Sequence, residues 1–186
     1  DENEYTCIFT QNASGALKLI GESYPFSDKS KFLLTYDNHN SVNGIREFAR
    51  RQNSTIIYVP MTTPEMRIDE NELISQLSQS DKNAHNLFAY PAQSNFSGVK
   101  HALSWIKSAH DLEWDVLLDA AAYLPTNRLN LSEVHPDFIV LSFYKIFGYP
   151  TGVGALIANR NKLTTLSRPW FAGGTITVAS VQGDRH

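Results

Sequence analysis

The chain has 186 residues, 42% of them hydrophobic and 19% charged. That is enough apolar material for one α/β domain with its own core, and it excludes a disordered or collagen-like chain. The net charge of −3, without any basic run, gives no electrostatic footprint for nucleic acid or for an anionic membrane surface.

Residues 1–6 lead almost at once into a first strand-like run at 6–10. That run holds the only cysteine, Cys7, which has no partner for an internal disulfide and is expected to pack in the core. No apolar run approaches the roughly 18 residues that span a bilayer, and the compartment expected on these grounds is reducing and cytoplasmic. After Gln11-Asn12, the small residues Ala13, Ser14 and Gly15 open a helical spacing over 13–22. A second strand pattern at 32–36 ends in Asp37-Asn38-His39-Asn40 and gives way to helical spacing at 41–51.

A strand at 55–59, a helix at 71–79 and a strand at 87–90 follow, the last leading into Pro91-Ala92-Gln93-Ser94-Asn95. Then come a helix at 99–110, a strand at 115–118 closed by Asp119, a strand at 138–143 closed by Tyr144-Lys145, and a strand at 153–158. Residues 183–186 stop without a closing element, so the chain is expected to be a piece of a longer one. Seven strands with helices between the first five predict an α/β fold with a mostly parallel sheet covered on both faces. In such a sheet ligands sit beyond the carboxyl ends of the strands.

The residues at those ends are chemically unusual. Ala13, Ser14 and Gly15 at a helix start suit a phosphate, because free N–H groups and the helix dipole both favour an anion. On its own such a start is no more than an N-cap. One glycine in place of G-x-G-x-x-G argues against a nicotinamide dinucleotide, and Gly148 to Gly154 precede a strand, which argues against a Walker loop. Lys145 follows an apolar strand, where an amine with little water around it can condense with an aldehyde. Beside a phosphate loop, that aldehyde is pyridoxal 5'-phosphate. A lone strand-end lysine is otherwise a rim residue that snorkels to water.

Asp119 strengthens the cofactor reading. Between Val116-Leu117-Leu118 and Ala120-Ala121-Ala122 it is costly to bury without a cation, and a protonated pyridine ring supplies one. His39 is placed to lie on that ring. The other histidines, at 85, 101, 110, 135 and 186, show no metal-ligand spacing and are expected at the surface or core edge, so no metal is assigned.

Several stretches carry a family resemblance. They are Phe9-Thr-Gln-Asn-Ala-Ser-Gly-Ala16, Tyr36-Asp-Asn-His-Asn-Ser-Val-Asn-Gly44, Ala89-Tyr-Pro-Ala-Gln-Ser-Asn-Phe-Ser-Gly98, Leu117-Leu-Asp-Ala-Ala-Ala122, Leu141-Ser-Phe-Tyr-Lys-Ile-Phe-Gly-Tyr-Pro-Thr-Gly152 and Phe171-Ala-Gly-Gly-Thr175. In this order the chain resembles the class V aminotransferase and cysteine desulfurase family, and within it the branch that sulfurates the molybdenum cofactor. Tyr144 where desulfurases usually place a histidine, and Ala122 where they place a glutamine, both look like the sulfurase branch.

The resemblance implies the large domain of the pyridoxal-phosphate-dependent transferase fold type I, over residues 1–186, with the small domain and a molybdenum-cofactor-binding domain outside this chain. It also implies site roles. Ala13, Ser14 and Ser142 would hold the cofactor phosphate, and Thr175 would reach a phosphate across a dimer interface. His39 would stack on the ring, Asn95 would bond the ring hydroxyl oxygen, Asp119 would pair with the ring nitrogen, and Lys145 would carry the cofactor. The implied substrate is L-cysteine, leaving as alanine, with the molybdenum cofactor as final sulfur acceptor and a homodimer as the full-length state. A cysteine desulfurase or selenocysteine lyase of the same fold, and a non-catalytic scaffold, are the alternatives.

Overall fold

The structure is a computed structural model that describes residues 3–167 and 183. Its elements in chain order are β1 (Tyr5–Thr10), α1 (Ala13–Ser23), β2 (Lys31–Thr35), α2 (Asn40–Asn43), α3 (Arg46–Arg51), β3 (Thr55–Val59), β4 (Met61–Thr62) and β5 (Arg67–Ile68). They continue with α4 (Glu70–Leu77), β6 (Leu87–Pro91), α5 (Ser104–His110), β7 (Asp115–Asp119), β8 (Phe138–Ser142), α6 (Phe143–Phe147), β9 (Gly154–Asn159) and α7 (Arg160–Leu163).

Seven strands form one sheet in the order β1-β9-β8-β7-β6-β2-β3. From β8 to β3 every neighbour is parallel, whereas β9 runs antiparallel to both β8 and β1. The sequence prediction of a mostly parallel seven-stranded sheet therefore holds. The short antiparallel pair β4–β5 was not anticipated, because two-residue strands carry no readable period.

Strict alternation divides the apolar residues between the two faces of the sheet. Phe32, Leu34, Leu87, Ala89, Leu117, Phe138 and Val140 pack on one side under Leu17 and Ile20 of α1 and Ala49 of α3. Leu33, Phe88, Tyr90, Val116, Leu118 and Ile139 face the other side, under Leu73 and Leu77 of α4 and Trp105 and Ile106 of α5. A strand buried on both faces reads as a continuous apolar run, which is why 87–90, 115–118 and 138–143 were legible without alternation of apolar and polar residues.

Two helices differ from their sequence patterns. The spacing over 41–51 breaks at Gly44 into α2 and α3, glycine being a poor helix former. The pattern at 99–110 yields a helix only from Ser104, because the preceding residues turn back on the exit of β6: Lys100 bridges to Gln93, and the His101 N–H donates to the Ala92 carbonyl at 3.0 Å. Cys7 lies exposed on the edge strand β1, which corrects the expectation that it is buried. Strand alternation puts Cys7 and Phe9 on the same face of β1, and both are exposed there.

At the amino ends of β7 and β8 a polar cluster closes the sheet. Asp115 accepts from the Tyr24 hydroxyl at 2.7 Å and from the Lys162 ammonium, and Asp137 accepts from the Val116 N–H at 2.7 Å and from His110 Nε2 at 2.8 Å. Burial pulls the Lys162 ammonium down, but its hydrogen bond to Asp115 and the charges of Asp115 and Asp137 outweigh that, so the net direction is up. Burial, and then the charge of Asp115, push Tyr24 well above the usual phenol range. Raised folded-state values mean stability that is complete below the unfolded-state values and lost as pH climbs past them, so the fold weakens above about pH 10. The Lys162 side chain is 37% exposed, so solvent screens the pair. Lys162→Met is expected to cost about 1–2 kcal/mol at neutral pH and to flatten the alkaline limb of stability, as read by urea denaturation between pH 7 and pH 11.

Candidate active site

The carboxyl ends of the parallel strands converge on one cavity of about 220 Å³, lined by Asn12, Ala13, Ser14, Leu17, His39, Ser41, Asp119, Ala121, Ser142, Tyr144 and Lys145. Sheet register brings these segments together. In β7, Asp119 is paired with Pro91 of β6 on one side and Val140 of β8 on the other. Thr10, Gly154 and Ser142 lie in one row across β1, β9 and β8, so the start of α1 and the end of β8 meet at the same edge.

Gly154 permits that meeting. A Cβ there would lie 2.6 Å from Asn12 Cα and 2.8 Å from Ala13 N, so the backbone entering α1 passes directly over it. Asn12 caps α1 by accepting from the Gly15 N–H at 2.8 Å, and Ser142 Oγ accepts from the Ala13 N–H at 3.0 Å. The helix start is thereby fixed to the end of β8. Gly154→Ala is expected to destabilise the fold by about 1–3 kcal/mol and to push the Asn12–Ala13 turn away from β9, seen as a lowered midpoint in thermal unfolding.

Asp119 is a carboxylate held in an almost dry position, 8% exposed. Burial pushes it above the usual carboxylate range, while a hydrogen bond from the Ala121 N–H, at 2.9 Å, the Lys145 ammonium and, when its ring is protonated, His39 pull it back. Lys145 is half-buried and lies on the single turn of α6, one turn beyond the strand end expected from the apolar run. The physical cause is that Ser142 ends the ladder, and the chain turns into a helix before reaching the lysine. The helical turn still delivers Lys145 to the cavity that Asp119 lines.

His39 ends the turn after β2 and caps α2 with its own ring, Nδ1 accepting from the Ser41 N–H at 3.1 Å. Two buried fastenings hold this turn. Asn38 Nδ2 donates to the carbonyls of Thr35 and Ala89 at 3.0 and 2.9 Å, and His101 Nε2 lies 2.6 Å from Asp37 Oδ2, with side chains 2% and 0% exposed. His101, expected at the surface or core edge, is thus interior, stacked on Trp105 at 5.2 Å. Its sequence position beside Lys100 gave no hint of this, since the partner carboxylate lies 64 residues away.

Of the residues singled out from the sequence, Ala13, Ser14, His39, Asp119, Ser142 and Lys145 meet in the cavity. Asn95 is exposed and does not line it, being on the turn beyond β6. Thr175 lies outside the described residues. Asn12 and Ser41 line the cavity as well. Both sit inside the resembling motifs, and the signal that would have found Ser41 is its spacing of two from a histidine at a helix start.

The arrangement comprises a helix start able to take an anion, a buried carboxylate, and a lysine and an imidazole close enough to act on that carboxylate. This donor set matches a phosphorylated, cationic aromatic aldehyde and fits pyridoxal 5'-phosphate. A family model of aminotransferase class V matches residues 1–185, and the chain belongs to that family, with the α/β architecture of fold type I.

Among its relatives, molybdenum cofactor sulfurase of Arabidopsis thaliana is 37% identical over 208 residues, covering 95% of this chain and 25% of that protein. Molybdenum cofactor sulfurase of Homo sapiens is 41% identical over 187 residues, covering 92% of this chain and 21% of that protein. The chain therefore spans about a quarter of the length of the curated relatives it matches. Among solved structures, a cysteine desulfurase from Thermococcus onnurineus superposes with a TM-score of 0.83 at 25% identity, over 95% of this chain and 44% of that one.

Asp119→Asn tests the cost of the buried carboxylate. Its folded-state value is raised, so the contribution to stability is complete below the ordinary carboxylate range and declines as pH rises through the folded value. At pH 7 the uncharged variant without added cofactor is expected to melt higher than the parent chain, and the gain should vanish near pH 3. A lower melting point at pH 7 would contradict this account of the site.

Proposed function

We propose that this chain is the cofactor-binding core of a pyridoxal-phosphate-dependent sulfurase that takes sulfur from L-cysteine, releases alanine and passes the sulfur through an enzyme persulfide to the molybdenum cofactor. The observation that carries the reading is the single cavity shared by Lys145 and the buried Asp119, with the start of α1 forming its third wall. The likeness to the sulfurases of Arabidopsis thaliana and Homo sapiens supports the final acceptor. Tyr144 and Ala122 favour that branch over a plain cysteine desulfurase.

In this reading Ala13, Ser14 and Ser142 would hold the cofactor phosphate, His39 would lie beside its ring, Asp119 would pair with the ring nitrogen, and Lys145 would hold the aldehyde end. Bound there, the cofactor would supply an electron sink for the bond changes at the substrate Cα. Asp119 would keep that sink electron-poor by remaining an anion beside a cation, which also relieves the cost of its burial. Lys145 Nζ would be the base that takes and returns the proton at the substrate Cα. Its place on a helical turn lets the amine swing without breaking the β8 ladder. The apolar strands behind Asp119 would exclude water from the ring.

Cys7 does not line the cavity, so the cysteine that receives the sulfur would lie elsewhere in the full-length protein. We also propose that the full-length protein is a homodimer. The support is a run of exposed aromatic rings on β1 and α6: Phe9, 71% exposed, packs on Phe143, which stacks on Phe147, 77% exposed. Grouped apolar exposure of this kind favours coverage by another protein surface.

The test is an ultraviolet-visible titration with pyridoxal 5'-phosphate, then borohydride reduction and peptide mapping. A new visible absorbance band is expected when the cofactor condenses with the amine, with the reduced adduct on Lys145. Lys145→Ala should abolish both, and an adduct on any other lysine would sink the reading. The purified 186-residue chain is expected to form no alanine from cysteine, whereas the full-length protein should do so and should activate a molybdenum hydroxylase that lacks its sulfido ligand.

A further inference from the structure

The hydroxyl of Ser41 occupies a position that the cofactor reading leaves unused. Ser41 Oγ lies 2.8 Å from His39 Nδ1 and 2.6 Å from Ser14 Oγ, and all three side chains line the cavity. Proton directions along this chain follow from valence. The Ser41 backbone amide always carries its hydrogen and points it at Nδ1, so Nδ1 presents a lone pair and neutral His39 bears its proton on Nε2. A lone pair on Nδ1 makes the Ser41 hydroxyl a donor to it. Ser41 Oγ is then free to accept, and Ser14 is the donor beside it. The order with an empty cavity is Ser14 to Ser41 to His39.

A phosphate dianion at the start of α1 offers only acceptors, so a Ser14 hydroxyl that contacts it must turn its proton away from Ser41. The short Ser14–Ser41 contact then survives only if Ser41 donates to Ser14, which withdraws the hydroxyl from Nδ1. We propose that the Ser14–Ser41 pair is a reversible hydroxyl relay, and that Ser41 is a positioning residue linking occupancy of the phosphate cradle to the hydrogen bonding of the His39 ring. With the cradle empty, two donors hold Nδ1. With it filled, only the Ser41 backbone amide does, and the ring is released to settle against the cofactor. The inference rests on the reading of the α1 start as a phosphate site.

Inorganic phosphate alone is the probe, added without pyridoxal to protein labelled with ¹⁵N in its histidine rings, at about pH 8.5, above the ordinary imidazole range. Long-range proton–nitrogen spectra report His39 Nδ1, and phosphorus spectra report binding. In the parent protein phosphate should move the His39 Nδ1 resonance. In Ser41→Ala phosphate should still bind, about three- to tenfold more weakly, and leave that resonance unmoved. Ser41→Thr keeps the hydroxyl and should restore the response. A residue that merely caps α2 would not tie the imidazole signal to phosphate.

Should Ser41→Ala fail to fold, Ser14→Ala breaks the relay from its other end and is expected to uncouple His39 in the same way. Phosphate binding that leaves parent His39 unmoved, or moves it equally in Ser41→Ala, overturns the relay while the phosphate site stands. No binding of phosphate to the parent protein overturns the phosphate site and the relay together.

Discussion

A carboxylate buried among aliphatic strands is stable only when hydrogen bonds and a cation compensate for the water it has lost, and Asp119 is in that situation at the carboxyl edge of β7. Val116, Leu117 and Leu118 before it are fully enclosed, so the chain has no freedom to carry the side chain out to solvent. Its partners are arranged around that fact. The Ala121 N–H bonds it directly, and Lys145, on α6 just beyond the neighbouring strand β8, and His39, on the turn after β2, act on it across the cavity. These partners offset the burial only in part, since the carboxyl still stands above the usual carboxylate range.

The α1 end of the cavity depends on a different constraint, the close passage of two backbones. The turn from β1 into α1 crosses β9 at Gly154, and the Ser142 hydroxyl then ties the Ala13 amide to β8. Because β1 lies at the sheet edge beyond the antiparallel β9, the helix start reaches β8 without any intervening side chain at position 154. The N-cap of α1 is thus set by the sheet as well as by Asn12.

Stability and chemistry occupy opposite ends of the same strands. The ionic cluster of Asp115, Asp137, Lys162 and Tyr24 closes the amino ends, where every charge has a partner within the chain. At the carboxyl ends the charges are left facing a cavity. The Asp37–His101 pair stands between these roles: it is buried and adds nothing to the cavity wall, yet it fixes the turn that presents His39. Such separation is what allows an open-sheet fold to carry a reactive site without loosening its core.

The local pattern of this chain determined a good deal by itself. Continuous apolar runs marked the buried strands, small residues marked the α1 start, and an aspartate among aliphatic residues marked Asp119, because each of these signals lies within a few neighbouring residues. Tertiary structure decided what depends on distant partners. It set the antiparallel placement of β1 and β9, turned the chain after Ser142 so that Lys145 rides a helix, and diverted residues 99–103 from helix to a return on β6. It also buried His101 against Asp37, left Cys7 uncovered, and kept Asn95 off the cavity wall. Register and burial are properties of the packed sheet, and no window of sequence contains both sides of such a contact.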